Sequence, residues 1–175
     1  MPGTYDPELD TVYWTTSNAA PDFDGSSRPG DDLYTACVLA IDPNTGKLKW
    51  YFQFTPHDVY DYDANETPVL VVKEENGAVR HLLLQANRNG FFYVLDRTDG
   101  KFLRATPFVE KLSWAKGIDS SGRPVLSGLI PTSEGTHICP GIVGATNWFS
   151  PSYNPNTGLF YLMALENCNI YFATS

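Results

Sequence analysis

Residues 58–66 form the most acidic segment of the chain, with four carboxylates in nine positions: Asp58, Asp61, Asp63 and Glu66. In an extended segment, residues i and i+2 point to the same side, so Asp61 and Asp63 are predicted to converge. Two carboxylates at such a short distance repel each other unless one is protonated or a cation lies between them. Hard cations such as Ca²⁺ prefer such oxygen ligands. The alternative is a solvated acidic loop, which is the commoner state of a lone Asp-x-Asp pair.

Three other polar residues are candidates for a site, and two of them, Asn18 and Arg88, stand beside predicted strands. Asn18 ends one strand and opens a loop, so its amide oxygen could bind a metal or cap its own turn. Arg88 lies between two strands, where a guanidinium either recognises carbonyl and carboxylate oxygens or remains a surface arginine beside an Asn-Gly turn. Asn147 precedes Trp148, whose indole is expected in the core.

The elements that must position these residues are predicted to be strands. Short runs rich in Val, Tyr, Phe and Leu are separated by Gly, Pro, Asn and Asp, and no convincing helix exceeds two turns. The clearest runs are Thr11–Thr15, Cys37–Ile41, His81–Gln85, Phe91–Leu95 and Leu159–Met163. The sequence therefore indicates an all-β fold.

Turn motifs repeat along the chain and indicate how the strands are grouped. The motif at Asp42–Lys47 recurs at Asp96–Lys101, 54 residues later, and the motif at Tyr5–Trp14 resembles that at Tyr153–Leu162. A repeat of this length made only of strands is typical of four-stranded propeller blades, although any antiparallel protein with good hairpins is an alternative. About three blades fit in 175 residues and cannot close a ring. We therefore expect residues 1–175 to be a propeller domain that is incomplete at both ends.

Composition excludes several classes of partner. The net charge is −8 and no basic stripe occurs, so nucleic acid is not an expected partner. No apolar run approaches the length of a transmembrane segment, and the first residues lack the features of a signal peptide. The three cysteines form neither a Cys-x-x-Cys nor a haem-attachment motif.

Taken together, these segments resemble the quinoprotein alcohol dehydrogenases, the methanol and ethanol dehydrogenase group that uses pyrroloquinoline quinone (PQQ) in an eight-bladed propeller. The resemblance covers essentially the whole chain, and its strength lies in the order and spacing of the motifs. They are YDPELDTVYWTTSN, RPGDDLYT, LAIDPNTGKLKWYFQFTPHDVYDYDANETPVL, QANRNGFFYVLDRTDGKF, WAKGID and HICPGIVGATNWFSPSYNPNTGLFY.

The resemblance implies a role for each candidate residue. Asn18 corresponds to a ligand of the active-site metal, and Asp61 to the catalytic aspartate beside that metal. Arg88 and Asn147 correspond to residues that contact PQQ. Asp63 resembles an additional aspartate of the lanthanide-dependent members, which favours a lanthanide ion over Ca²⁺ because a trivalent ion requires more negative charge from its ligands.

The resemblance also implies the setting of the reaction. Primary alcohols are oxidised to aldehydes, electrons pass to a cytochrome c, and the full-length enzyme is periplasmic, with a homodimer as one possible assembly. Cys139 and Cys168 correspond to a structural disulfide, which requires an oxidising compartment, and Cys37 is left as a buried thiol. The family's metal-binding glutamate, its vicinal disulfide and a stacking tryptophan are expected upstream of this segment, and the closing blades downstream.

Other interpretations stay open on sequence alone. A non-catalytic propeller scaffold would keep the turn motifs but has no reason to keep Asn18, Asp61, Arg88 and Asn147 together. A membrane-bound PQQ glucose dehydrogenase should lack Asp63 paired with Asp61 and the cysteine spacing. A third alternative is a short protein whose copies assemble into a closed ring.

Overall fold

The computed structural model describes residues 3–75 and 77–173, and their regular structure consists of strands. Fourteen strands occur in chain order. They are β1 Thr4–Asp6, β2 Thr11–Thr15, β3 Cys37–Ile41, β4 Leu48–Gln53, β5 Val69–Glu75, β6 Ala78–Ala86, β7 Phe91–Asp96, β8 Phe102–Pro107, β9 Ala115–Ile118, β10 Pro124–Leu126, β11 Thr136–Ile138, β12 Ser152–Asn154, β13 Leu159–Tyr161 and β14 Asn169–Tyr171. The predicted all-β class is confirmed.

Two four-stranded antiparallel sheets form the body of the fold. The first has the order β1-β2-β3-β4 and the second the order β5-β6-β7-β8. Each sheet is a meander in which every strand pairs with the next along the chain, which is the arrangement of a propeller blade. Three two-stranded sheets complete the described structure: β9 with β10, β11 with β14, and β12 with β13.

The repeated turn motifs occupy equivalent places in the two large sheets. The Asp42 carboxylate accepts the N–H of Asn44 at 2.8 Å, and the Asp96 carboxylate accepts that of Thr98 at 2.9 Å. Gly46 and Gly100 then adopt positive φ of 70° and 78°, a conformation that glycine reaches without steric cost. The 54-residue spacing of these turns is therefore the spacing of the sheets.

The principal core lies between the two large sheets. It joins Tyr13, Val38 and Ala40 of the first sheet to Leu83 and Tyr93 of the second, all fully buried. Alternation along each strand directs these apolar side chains to one side. Trp114 closes the same core, and its indole N–H donates to the carbonyl oxygen of Asn89 at 2.8 Å.

A second core on the other face of the second sheet marks a third layer. Val71, Leu82, Leu84 and Val94 are buried there, and the β12–β13 hairpin packs against them through Tyr153 and Phe160. The rings of Phe92 and Phe160 lie 4.9 Å apart. The described part of the chain therefore contains two complete blades and part of a third, which confirms the prediction of about three blades.

A buried ion pair joins the first turn of the first sheet to the second sheet. The Nε atom of Arg97 lies 2.5 Å from Oδ2 of Asp6, and the two side chains are only 4% and 2% exposed. The Nη1 atom of the same guanidinium donates to the carbonyl oxygen of Val71, and its Nη2 atom donates to the carboxylate of Glu8. This contact therefore connects the first four-stranded sheet to the second.

The cysteines fall into two groups. Cys139 and Cys168 form a disulfide, as the resemblance implied. Cys37 is a buried free thiol whose pKa is raised to about 12 by burial, so it stays protonated and unreactive at neutral pH. Among the described residues, no helix is long and apolar enough to cross a bilayer.

Candidate functional site

The predicted site residues come from four separate connections of the fold. Asn18 follows β2, the acidic segment joins β4 to β5, Arg88 joins β6 to β7, and Asn147 precedes β12. The structure brings all four connections into direct contact, although the Asn147 side chain meets the acidic segment at Asn65 and not at Asp61 or Asp63. Connections that converge at one end of stacked sheets are a common location for binding sites.

Arg88 lies against both candidate carboxylates. Its Nη1 atom is 2.5 Å from Oδ2 of Asp63, and its Nη2 atom is 3.4 Å from Oδ2 of Asp61. The guanidinium is only 6% exposed, whereas the carboxylates are 19% and 23% exposed. One positive and two negative groups leave this cluster with an excess of negative charge, so it can still attract a cation.

Asn18 is attached to the same cluster through its backbone. Its N–H donates to Oδ1 of Asp63 at 2.8 Å. Its side-chain nitrogen donates to Asp22 at 3.0 Å and to the carbonyl oxygen of Ala19 at 3.2 Å. The capping interactions therefore engage the amide nitrogen, which leaves the amide oxygen for a cation.

Asn147 reaches the cluster indirectly. Its Oδ1 accepts a hydrogen bond from Nδ2 of Asn65, two residues beyond Asp63, at 3.1 Å. Its own Nδ2 donates to the carbonyl oxygen of Val143. The neighbouring Trp148 is 70% exposed, so its predicted place in the core is wrong. Trp148 lies in the loop before β12, and its described ring contact is with the adjacent Phe149.

The loop 139–147, which the disulfide anchors at Cys139, supports the cluster from one side. The carbonyl oxygen of Ile142 accepts a hydrogen bond from Arg88, and the N–H of Ala145 donates to the Arg88 carbonyl. The hydroxyl of Tyr62, between the two aspartates, donates to the carbonyl oxygen of Pro140 at 2.6 Å. This loop therefore holds both the arginine and the acidic segment.

The carboxylates of Asp61 and Asp63 come together, but not through the extended backbone that the sequence predicts. Residues 61–65 are not a strand, and Asp61 has a φ of 64°, in the left-handed region. The two carboxylates meet at Arg88 because the backbone turns at Asp61. A left-handed conformation costs a non-glycine residue about 1–3 kcal/mol, and such strain is often retained at functional sites.

The surroundings of Asp61 alter its acidity. Burial raises its pKa to about 6, the positive charge of Arg88 opposes that rise, and the negative charge of Asp63 adds to it. Since this value lies below neutral pH, the carboxylate is ionised under ordinary conditions. Asp61 is therefore a base of moderate strength in a partly dehydrated position, which is a suitable property for proton abstraction.

Asp58 is a buried acid of the same segment, and its sequence position alone predicted no individual role for it. It is fully buried, and its carboxylate accepts the N–H groups of Tyr60 at 2.8 Å and Tyr62 at 2.7 Å. Burial raises its pKa to about 7 although the two hydrogen bonds act in the opposite direction. The only signal in the sequence was its place in the acidic segment.

Glu66 is the fourth acid of the segment and points into the protein. It is 2% exposed, and neither carboxylate oxygen has a hydrogen-bond partner among the described residues. Burial raises its pKa well above the ordinary value for a glutamate. A buried carboxylate without such partners is costly, and this cost favours the neutral form of Glu66.

Comparison with known proteins identifies the relatives of this chain. The family described as the β-propeller domain of glucose, ethanol and alcohol dehydrogenases, designated PQQ, matches residues 1–113. The chain is 42% identical over 172 residues to the quinoprotein alcohol dehydrogenase PedH of Pseudomonas putida, covering 94% of the chain and 29% of that relative. It is 43% identical over 166 residues to a quinohemoprotein alcohol dehydrogenase of Comamonas testosteroni, covering 92% and 23%.

Solved structures give the same result for the fold. The crystal structure of the Comamonas testosteroni enzyme superposes with a TM-score of 0.87 at 43% identity, over 93% of this chain and 25% of that one. A europium-containing methanol dehydrogenase superposes with a TM-score of 0.85 at 36% identity, over 93% and 29%. The two large sheets are therefore blades of a β-propeller, and the chain spans less than a third of each relative.

Proposed function

Because this chain belongs to the family of PQQ-dependent alcohol dehydrogenases, we propose that it contributes the catalytic corner of an enzyme that oxidises primary alcohols to aldehydes. The relatives are each more than three times as long, so we propose the activity for a longer protein in which residues 1–175 would form part of the propeller domain. The observation that carries the proposal is the contact of Arg88 with both Asp61 and Asp63. A scaffold would have no use for a strained, partly buried carboxylate beside a buried cation.

The oxygen atoms of the cluster fit a hard metal ion. Carboxylates from Asp61 and Asp63 and the amide oxygen of Asn18 are ligands that Ca²⁺ and lanthanide ions accept. The Asp63 carboxylate has one hydrogen bond on each oxygen, from Asn18 and Arg88, so each oxygen keeps a lone pair. We propose that these three residues hold the metal together with ligands from outside this chain.

The donors of the cluster fit PQQ, an acidic quinone. The guanidinium of Arg88 and the amide of Asn147 are donors that quinone and carboxylate oxygens accept. When bound, PQQ supplies a quinone that accepts two electrons from the alcohol, and the metal supplies a Lewis acid. The guanidinium of Arg88 would stabilise negative charge on the quinone oxygen. Asn147, held by Asn65, would orient the PQQ ring system.

Asp61 is proposed as the general base. Its ionised carboxylate accepts the hydroxyl proton of the alcohol. The hydrogen bond from Arg88 to Oδ2 of Asp61 limits how freely that carboxylate rotates. The electrons are proposed to pass to a cytochrome c, since one relative, of Thauera butanivorans, is named 1-butanol dehydrogenase (cytochrome c). The disulfide favours an oxidising compartment, and we propose the periplasm. A homodimer of the whole enzyme is part of the same proposal.

Reconstitution tests this function directly. The holoenzyme that contains this chain, loaded with PQQ and either Ca²⁺ or La³⁺, should oxidise methanol, ethanol and 1-butanol with an artificial electron acceptor and reduce cytochrome c. NAD⁺ should not be reduced. A preparation that binds PQQ but oxidises none of these alcohols would contradict the assignment, and one that binds no PQQ would favour the scaffold.

Replacing Asp63 by alanine should change the preference for the metal. The variant removes one negative ligand, which a trivalent ion needs more than a divalent one, so the ratio of La³⁺-supported to Ca²⁺-supported activity should fall about tenfold or more. The measurement is the dye-linked rate of apoenzyme reconstituted with each ion. Asp24→Ala is the matched control, since that carboxylate accepts the N–H of Ser26 in the neighbouring loop. An unchanged ratio in the Asp63 variant would remove the basis for a lanthanide site.

A further inference from the structure

The carboxylate of Asp58 brackets the backbone of Asp61. Its Oδ1 accepts the N–H of Tyr60 at 2.8 Å, and its Oδ2 accepts the N–H of Tyr62 at 2.7 Å. The Tyr62 N–H belongs to the peptide group that directly follows Asp61, and the Tyr60 N–H belongs to the peptide group that precedes Tyr60. The two hydrogen bonds therefore fix the orientation of both neighbours of the residue that carries the proposed base.

Asp61 needs such a restraint because its backbone is left-handed, with a φ of 64°. Aspartate adopts this region more readily than most residues, but the conformation still costs free energy that surrounding contacts must offset. Asp58 is 0% exposed, so water does not compete for its oxygens. Among side chains as short as this, only a carboxylate offers two equivalent oxygen acceptors that can serve two N–H groups at once.

We propose that Asp58 is a positioning residue that holds Asp61 in its left-handed conformation and so aims the Asp61 carboxylate at the metal and the alcohol. This inference rests on the proposed function of Asp61. The described side-chain hydrogen bonds of Asp58 go to backbone N–H groups, so Asp58 acts through Asp61 and not on the substrate.

Other anchors hold the acidic segment without determining the conformation at Asp61. The hydroxyl of Tyr60 donates to the carbonyl oxygen of Leu129 at 2.8 Å, and that of Tyr62 donates to Pro140. These contacts attach the flanking side chains to neighbouring loops. Loss of one of them should loosen the segment, whereas loss of the Asp58 bracket should misdirect the carboxylate itself.

The test is Asp58→Asn in the holoenzyme. Asparagine has the same shape, keeps one acceptor oxygen and places an NH₂ group against a second N–H, so one hydrogen bond of the bracket is lost. We expect kcat per PQQ-loaded site to fall about 10- to 100-fold, because small misplacements of a catalytic group have effects of this size. The KM for ethanol should stay within about threefold, since binding of the alcohol is not altered.

A second readout does not depend on turnover. Eu³⁺ alone, titrated into the apoenzyme and followed by its luminescence, should bind about tenfold more weakly in Asp58→Asn, as supporting residues of metal ligands commonly affect affinity to this extent. The luminescence lifetime should shorten, because a misdirected Asp61 lets additional water reach the ion.

Tyr60→Phe is the matched control, because it also removes one hydrogen bond from the acidic segment but leaves the bracket intact. It should lower the melting temperature with kcat and Eu³⁺ affinity within about threefold of wild type. If Asp58→Asn behaves like this control, Asp58 supports only the fold and the proposal is wrong. If the wild-type enzyme itself fails to oxidise alcohols, the proposed function is wrong. The positioning role is tested separately by Eu³⁺ binding, and an unchanged Eu³⁺ affinity in Asp58→Asn would overturn it.

Discussion

Replacing Asp61 by asparagine in the holoenzyme should lower kcat for ethanol by about 10²- to 10⁴-fold, the usual contribution of a general base. Asparagine tolerates the left-handed backbone at this position and retains an oxygen that can face the metal. The variant therefore removes the proton acceptor with little change of structure. The measurement is dye-linked ethanol oxidation normalised to PQQ content, with the metal content determined on the same sample.

Asp99→Asn provides the comparison for this variant. Asp99 is exposed in the hairpin turn between β7 and β8, where its carboxylate accepts the N–H of Lys101. That change should leave kcat within about twofold, since turn capping is retained by asparagine. A rate in Asp61→Asn close to that of the control, at full PQQ and metal content, would show that another group removes the alcohol proton.

Replacing Arg97 by leucine should lower the free energy of unfolding by about 3–5 kcal/mol, because removal of one partner leaves a buried charge uncompensated. Asp6 is 2% exposed and keeps only the N–H groups of Glu8 and Leu9 as described hydrogen-bond donors. The contact also joins two consecutive blades, so its loss weakens the packing between repeats. Urea unfolding followed by tryptophan fluorescence is the appropriate measurement.

Two further variants separate the effect of burial from that of the ion pair. Arg123 forms a pair with Asp31 at 2.9 Å, but the side chains are 52% and 43% exposed, so Arg123→Leu should cost no more than about 1 kcal/mol. Adding Asp6→Asn to Arg97→Leu removes the stranded charge and keeps the turn cap, and should recover about half of the loss. Equal effects of Arg97→Leu and Arg123→Leu would mean that the inter-blade pair contributes no more than a surface pair.

Local chemistry was sufficient to predict the repeating architecture. The strands at Thr11–Thr15 and Cys37–Ile41 have the predicted bounds, and the turns at Asp42 and Asp96 have the predicted caps and glycines. Such features depend on side chains a few positions apart, which a single sequence displays. The order of the motifs was enough to indicate the family, which the comparisons confirm.

The arrangement of the candidate site was predicted only in part. The pairing of Asp61 with Asp63 was expected from an extended backbone, but the carboxylates meet through a left-handed turn at Asp61. The bracket by Asp58 and the exposure of Trp148 were not foreseen. Each depends on which backbone groups a side chain meets after the chain has folded, and residue type does not specify this.

The sequence by itself determined the all-β class, the blade-length repeat and the family, and it predicted the residues that could do chemistry. Only the tertiary structure decided that Arg88 lies between Asp61 and Asp63, that Asn18 contacts Asp63 through its backbone, and that a buried arginine joins two blades. The physical reason is range. Turns and strands follow from interactions between near neighbours, whereas these contacts join residues 25 to 91 positions apart and arise when stacked sheets bring separate loops together.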